Sequence, residues 1–131
     1  MMTMPLIRGD LKVAKVFDGT ADGVPFIVDR LDLPAGRERS DFLAYLRQGA
    51  VIMRAAGLDV DQLDESREKR VPIALLTDGE WVWDASIAYY LEEHDLPPEP
   101  AFLDYLRGRD FTYVAPTEEQ VSAAAAALRA R

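Results

Sequence analysis

Hydrophobic positions along this chain fall into short runs divided by turn residues, with spacing that switches between a strand period and a helix period. Leu11 to Phe17, apolar apart from Lys12 and Lys15, and Phe26 to Leu31, rich in Phe, Ile and Val, both read as strands. The turn-rich stretch Asp18-Gly19-Thr20-Ala21-Asp22-Gly23 between them predicts a hairpin. After the break at Pro34-Ala35-Gly36, the positions Phe42, Leu43, Leu46, Val51 and Met53 predict a helix of about four turns. Ser40 stands where its N-cap belongs, and Gly57 ends it. Gly49 then falls inside this helix at a cost of roughly 1 kcal/mol against Ala, which implies close packing against another backbone.

Residues 59–70 are mostly charged and carry no apolar period, so they read as a solvated linker in which nothing needs a partner. Val71 to Leu76 and Trp81-Val82-Trp83 then bracket Thr77-Asp78-Gly79-Glu80, a hairpin signal because Asp-Gly supplies the positive φ of a primed turn. Asp84 is placed to cap a helix from Ala85 to about His94, which Pro97-Pro98 forbids to continue. Pro100 opens a short helix that stops at Gly108, and Thr117 with Gln120 forms a capping box ahead of a helix over Val121 to Arg131. The expected fold is α+β: two antiparallel hairpins forming a small sheet, with three or four helices packed on one of its faces. One domain is expected over residues 1–131, with residues 1–9, a loose or edge-strand start, and the end of the last helix loosely held.

Composition narrows the chemistry. The 131 residues are 49% apolar and 29% charged, with 15 Lys and Arg against 23 Asp and Glu, a net charge of −8 that disfavours a phosphate backbone as ligand. The absence of Cys removes disulfides, cysteine zinc sites and thiol catalysis, and the single His constrains metal and triad chemistry to one residue. No apolar stretch is long enough to span a membrane, and Met1-Met2-Thr3-Met4-Pro5 does not look like a signal peptide, so a cytoplasmic protein without membrane contact is expected. Phosphate-binding glycine loops and the Gly-x-Ser-x-Gly nucleophile pattern are absent, and no cofactor is expected.

Four constellations carry candidate chemistry. Asp18, Thr20, Asp22, Gly23 and Asp29 sit at EF-hand spacing, but Thr20, the short Asp29, Pro25 and strand-like flanks depart from that loop, so no metal is expected there. His94 follows Glu92 and Glu93 at a helix C-terminus, where its role is to complement the helix dipole, the alternative being a general base oriented by a carboxylate. The carboxylate pairs Glu80 with Asp84, Glu92 with Glu93 and Glu118 with Glu119 read as a solvated acidic face, and Arg37, Arg39, Arg67, Lys69 and Arg70, which could form a small basic spot, read as ion-pair partners of Glu38, Glu65 and Glu68. Eight of the twelve aromatic residues lie between Trp81 and Tyr113, and Trp81 and Trp83 share one strand face. Such aromatics either fill a small core or, partly exposed beside acids, anchor a partner. The binding patch expected on the second alternative comprises Asp78, Glu80, Trp81, Trp83, Tyr89, Glu92 and Glu93.

The run Val71-Pro72, Thr77-Asp78-Gly79-Glu80-Trp81-Val82-Trp83, Ala88-Tyr89-Tyr90-Leu91-Glu92, His94, Leu96, Pro98 and Pro100 resembles a hairpin-helix segment, here about residues 71–111, of small uncharacterised bacterial proteins. The resemblance implies a shared module and carries over no catalytic residue. In composition alone the chain is also similar to small acidic immunity and antitoxin-type proteins. The expected function is therefore a non-enzymatic acidic protein that docks on a basic protein partner. The alternatives are a small hydrolase or ligand-binding enzyme using carboxylates and His94, and a homodimer that buries the aromatic patch against its own copy.

Overall fold

The computed structural model describes residues 6–8 and 11–129, and the expectations for residues 1–5 and for the last two residues of the chain lie outside them. The chain folds as an α+β protein around a five-stranded sheet in the order β1-β2-β7-β6-β5. These strands are β1 (Leu6–Arg8), β2 (Leu11–Val13), β5 (Ala50–Asp59), β6 (Val71–Thr77) and β7 (Trp81–Asp84). All neighbours are antiparallel except β2 and β7, whose parallel pairing sets Lys12 beside Trp81 and Val13 beside Val82. A separate hairpin joins β3 (Gly19–Ala21) to β4 (Val24–Phe26). The helices are α1 (Arg37–Gln48), α2 (Ser86–His94), α3 (Pro100–Gly108) and α4 (Glu118–Arg129).

The first expected hairpin is corrected in place. Residues 18–23, expected to be its loop, contain β3 and the turn of a tighter hairpin, and the chain beyond Phe26 leaves strand geometry. Asp22 and Gly23 both have positive φ, 52° and 79°, which is what a two-residue primed turn demands and what Asp-Gly tolerates at small steric cost. At the second Asp-Gly the mechanism differs, because only Gly79 has positive φ, at 100°. There the Asp78 carboxylate accepts the amides of Glu80 and Trp81 at 3.0 and 2.9 Å, so a side chain closes the β6–β7 connection.

The long helix expected between Ser40 and Gly57 is two elements. Helix α1 starts after Gly36, four residues before Ser40, and ends at Gln48, and β5 follows at once. Gly49 is the joint: a Cβ there would lie 2.5 Å from Trp83 Cζ2 and 2.8 Å from Leu76 Cβ, so the close packing expected of Gly49 is present, at the helix end instead of its interior. Past that point the stripe Val51 and Met53 belongs to a strand.

Both faces of the sheet are covered. On one, Trp81 and Trp83 of β7 pack with Phe42, Tyr45 and Leu46 of α1, Leu91 of α2, and Phe102 and Leu106 of α3. The rings of Trp81 and Phe102 lie 5.0 Å apart between centroids, and those of Trp83 and Phe102 5.6 Å. On the other face Val82 and Leu11 meet Ala124 of α4, with Ile52, Leu75 and Leu128 around them. The helices are thus not all on one side. Val82, between the two tryptophans, points to α4 because successive strand residues alternate faces. The capping box of α4 forms in both directions, Thr117 N–H to Gln120 Oε1 at 2.8 Å and Gln120 N–H to Thr117 Oγ1 at 3.1 Å.

Candidate functional site

The aromatic-acidic patch does not assemble. Trp81 and Trp83 are 2% and 0% exposed, so they are core residues and leave no ring for a partner, and a homodimer cannot bury them a second time. Asp78 is buried under the β6–β7 turn, where its Oδ2 accepts the hydroxyls of Tyr45 at 2.6 Å and Tyr105 at 2.7 Å. Burial and the facing Asp78 charge push both phenols well above the usual tyrosine range, so they remain donors. Arg109 donates in turn to the Tyr105 oxygen at 2.9 Å, while its own Nε has no hydrogen-bond partner among the described residues. Glu80 is exposed in the β6–β7 connection, and Glu92 and Glu93 are exposed on α2, with Glu92 paired to Arg47 and Glu93 to Arg67.

The structure builds a second buried carboxylate from the segment expected to be a solvated linker. Asp61 is 0% exposed. Its Oδ2 lies 2.6 Å from both Tyr89 Oη and His94 Nε2, and its Oδ1 accepts the amides of Leu63 at 2.8 Å and Asp64 at 3.1 Å. Burial opposes ionisation, but the bonds from His94, Tyr89 and Leu63 outweigh it and bring Asp61 down to about 2. The Tyr90 oxygen accepts the Gln62 amide at 2.9 Å, so α2 holds loop 60–70 through three side chains. His94 is therefore the partner of a buried acid, beyond the dipole role expected of it. The signal for this lay in Asp61 and Asp64, whose spacing suits the side-chain-to-amide turns seen here.

A third network gathers beside β3. Arg30 donates to Asp18 Oδ2 at 3.2 Å, to Val16 O and Pro97 O at 2.9 Å and to Lys15 O at 3.3 Å. Asp18, the first position of the EF-hand spacing, is thus committed to a guanidinium and to the Val28 amide at 2.6 Å. Glu99, also buried, accepts the Lys15 amide at 3.0 Å, and the Lys15 ammonium lies 3.7 Å from its other oxygen. The basic residues expected to pair with Glu38, Glu65 and Glu68 find other acids: Arg37 meets Asp41, Arg39 meets Asp95, and Arg67 meets Asp64 and Glu93, while Glu38 pairs with Arg107.

The feature that sequence reading missed is on the surface. Leu31 is 86% exposed, whereas Leu33, two residues on, is buried. A depression of about 240 Å³ is lined by Leu31, Pro98, Pro100 and Leu103 and by Asp29, Asp32, Asp104 and Arg107. At Asp32 it meets a second depression of about 350 Å³ that runs past Leu33, Pro34 and Ala35 to Arg39 and Asp95. The two share Asp32, and the groove they form is lined by apolar and charged residues alike. Arg107 is engaged with Glu38 at 2.6 Å and Arg39 with Asp95 at 2.7 Å, so its cations are already matched by acids. His94 lines neither depression. The chain matches no protein-family model, no curated protein and no solved structure. Among the described residues no helix is long and apolar enough to cross a membrane.

Proposed function

We propose that this chain is a non-enzymatic acidic interaction protein, immunity-like in its chemistry, that docks on a basic protein partner through the groove beside Leu31. The observation that carries the reading is a large apolar side chain at 86% exposure on a groove that Asp29, Asp32, Asp95 and Asp104 also line, Asp95 paired with Arg39 and Asp104 with Arg107. A leucine held in water costs apolar stabilisation that contact with a partner recovers, roughly 1.5–3 kcal/mol for full burial. Asp32 and the net charge of −8 favour a partner of opposite sign and steer its approach.

One observation favours the alternative, a small hydrolase or ligand-binding enzyme: the 2.6 Å contact of Asp61 with His94 is the arrangement by which a carboxylate orients a general base. The same contact anchors loop 60–70, and neither member faces the groove. Affinity capture from the source cell, with the captured protein then purified and its binding measured, separates the readings. Leu31→Asp abolishes capture of a basic partner and His94→Ala retains it if docking is the function. Capture lost in a folded His94→Ala variant and kept in Leu31→Asp overturns the docking site.

A further inference from the structure

Where β5 runs into loop 60–70 and α2 begins, a depression of about 150 Å³ has a composition that neither the fold nor the docking groove uses. It shares no residue with that groove. Two carboxylates line it, Asp59 and Asp84, and no Lys, Arg or His is among its lining residues. Each carboxylate spends one oxygen on the backbone, Asp84 Oδ1 on the Ser86 amide at 2.8 Å and Asp59 Oδ1 on the Val60 amide at 2.7 Å. The second oxygen of each has no hydrogen-bond or ion-pair partner among the described residues.

A further observation points to a ligand. Ser86 lines the same depression at 6% exposure, and its hydroxyl makes no hydrogen bond among the described residues. The rings of Phe17 and Tyr90 stand edge to face, 5.2 Å between centroids, and form an aromatic wall. Aromatic rings attract cations, and carboxylates flanking such a wall strengthen that preference.

We infer that this depression binds a primary ammonium group, the head of a lysine side chain or of a small alkylamine. Three acceptors, Asp59 Oδ2, Asp84 Oδ2 and Ser86 Oγ, match the three N–H donors of that group. Size agrees: sites for drug-sized ligands begin at roughly 300 Å³, so this one takes a single head group and a short stem. Calcium is a poor fit, since it takes six to eight oxygens. The positive end of α2 opposes a cation nearby, and Asp84, bonded to the first amide of that helix, offsets it.

The test is an amide chemical-shift titration of the full chain with n-butylammonium, with Nα-acetyl-lysine methylamide and, as neutral and quaternary controls, with its Nε-acetylated form and tetramethylammonium. Saturable shifts at Val60, Asp84 and Ser86 are expected for the two primary amines, with Kd on the order of 1 mM. The neutral control leaves those amides unmoved, and tetramethylammonium, a cation with no N–H to donate, binds at least about tenfold more weakly than the primary amines. Asp59→Asn and Asp84→Asn each weaken binding about tenfold, since the amide side chain keeps the oxygen that the backbone needs and removes the charge. Tighter binding of the lysine derivative identifies a protein side chain as the source, and tighter binding of butylammonium a free amine. Controls that shift the same amides equally, or no saturable shift with either primary amine, overturn the inference without any variant having to fold. An unchanged Kd in a folded Asp59→Asn protein overturns it as well.

Discussion

Asp61 and Glu99 are both shut away from water, and their surroundings drive them in opposite directions. For Asp61, hydrogen bonds from His94, Tyr89 and Leu63 overcome burial and bring the carboxyl from 3.8 down to about 2. A depressed folded value means that its contribution is present above the unfolded value and is lost as pH falls from about 4 toward 2. Asp61→Asn leaves His94 facing an amide and should lower stability by about 3 kcal/mol at pH 6, the loss seen when one partner of a buried pair is removed. The gap between wild type and variant in urea unfolding should narrow toward pH 2.5, and a gap independent of pH would exclude an ionised Asp61. At Glu99 burial is the largest influence and raises the carboxyl, against the Lys15 amide and the charges of Lys15 and Arg30. Its favourable contribution is complete below the unfolded value of about 4.5 and declines as pH rises through the raised folded one. Glu99→Gln keeps an oxygen for the Lys15 amide, so it should gain stability relative to wild type between pH 4 and pH 8. A relative loss over that window would show that the Lys15 ammonium outweighs the burial.

Among the elements, the α1–β5 junction shows how much was legible in the chain and why the rest was not. Apolar spacing placed β6, β7, α2, α3 and α4 close to their observed bounds, because each is marked by a Pro, a capping side chain or a run of one period. The junction had no such mark except Gly49, since Val51 and Met53 also continue the helical stripe of Phe42 and Leu46. What decides it is tertiary: Val51 pairs with Leu76 across β6, and the Trp83 ring occupies the space a continuing helix would need. Gly49→Ala should therefore cost about 1–3 kcal/mol, the range for overpacking a filled core, where a helix interior would gain from the same change. A thermal melt in which Gly49→Ala is as stable as wild type would mean that the joint is looser than its 2.5 Å approach implies. The candidate site was less legible for a related reason. Asp61 sits in a charged stretch, and no local pattern separates one buried acid from its exposed neighbours when its partners, Tyr89 and His94, are about thirty residues away. Leu31 reads as the end of a strand over Phe26 to Leu31, but the chain has left strand geometry there, with Asp29 at φ 52°, and Leu31 is exposed while Leu33 is buried.

At the scale of the whole molecule, the fold treats two of the places where apolar residues meet the surface differently. Val51, Met53 and Leu58 are half-exposed along β5, the end strand of the sheet, whose pairing with β6 is broken by register shifts between Val51 and Met53 and between Arg54 and Leu58. Such irregularities blunt an edge against further strand addition. The groove at Leu31 has no comparable protection, and its acids surround it instead of covering it. Anchor and rim should then separate in a binding experiment. Leu31→Asp removes the apolar anchor and should raise the dissociation rate of the captured partner, costing about 2 kcal/mol or more of affinity, with the melting temperature unchanged because the side chain contacts water in the free protein. Asp32→Lys leaves the anchor and reverses a rim charge, so it should lower the association rate and flatten its dependence on salt, with little effect on dissociation. Stopped-flow rates between about 50 and 300 mM salt, a range that takes the Debye length from above 10 Å to below 8 Å, distinguish the two. If Asp32→Lys instead changes only dissociation, the acid is a desolvated contact within the interface, and the groove is read more deeply by its partner than a steering rim requires.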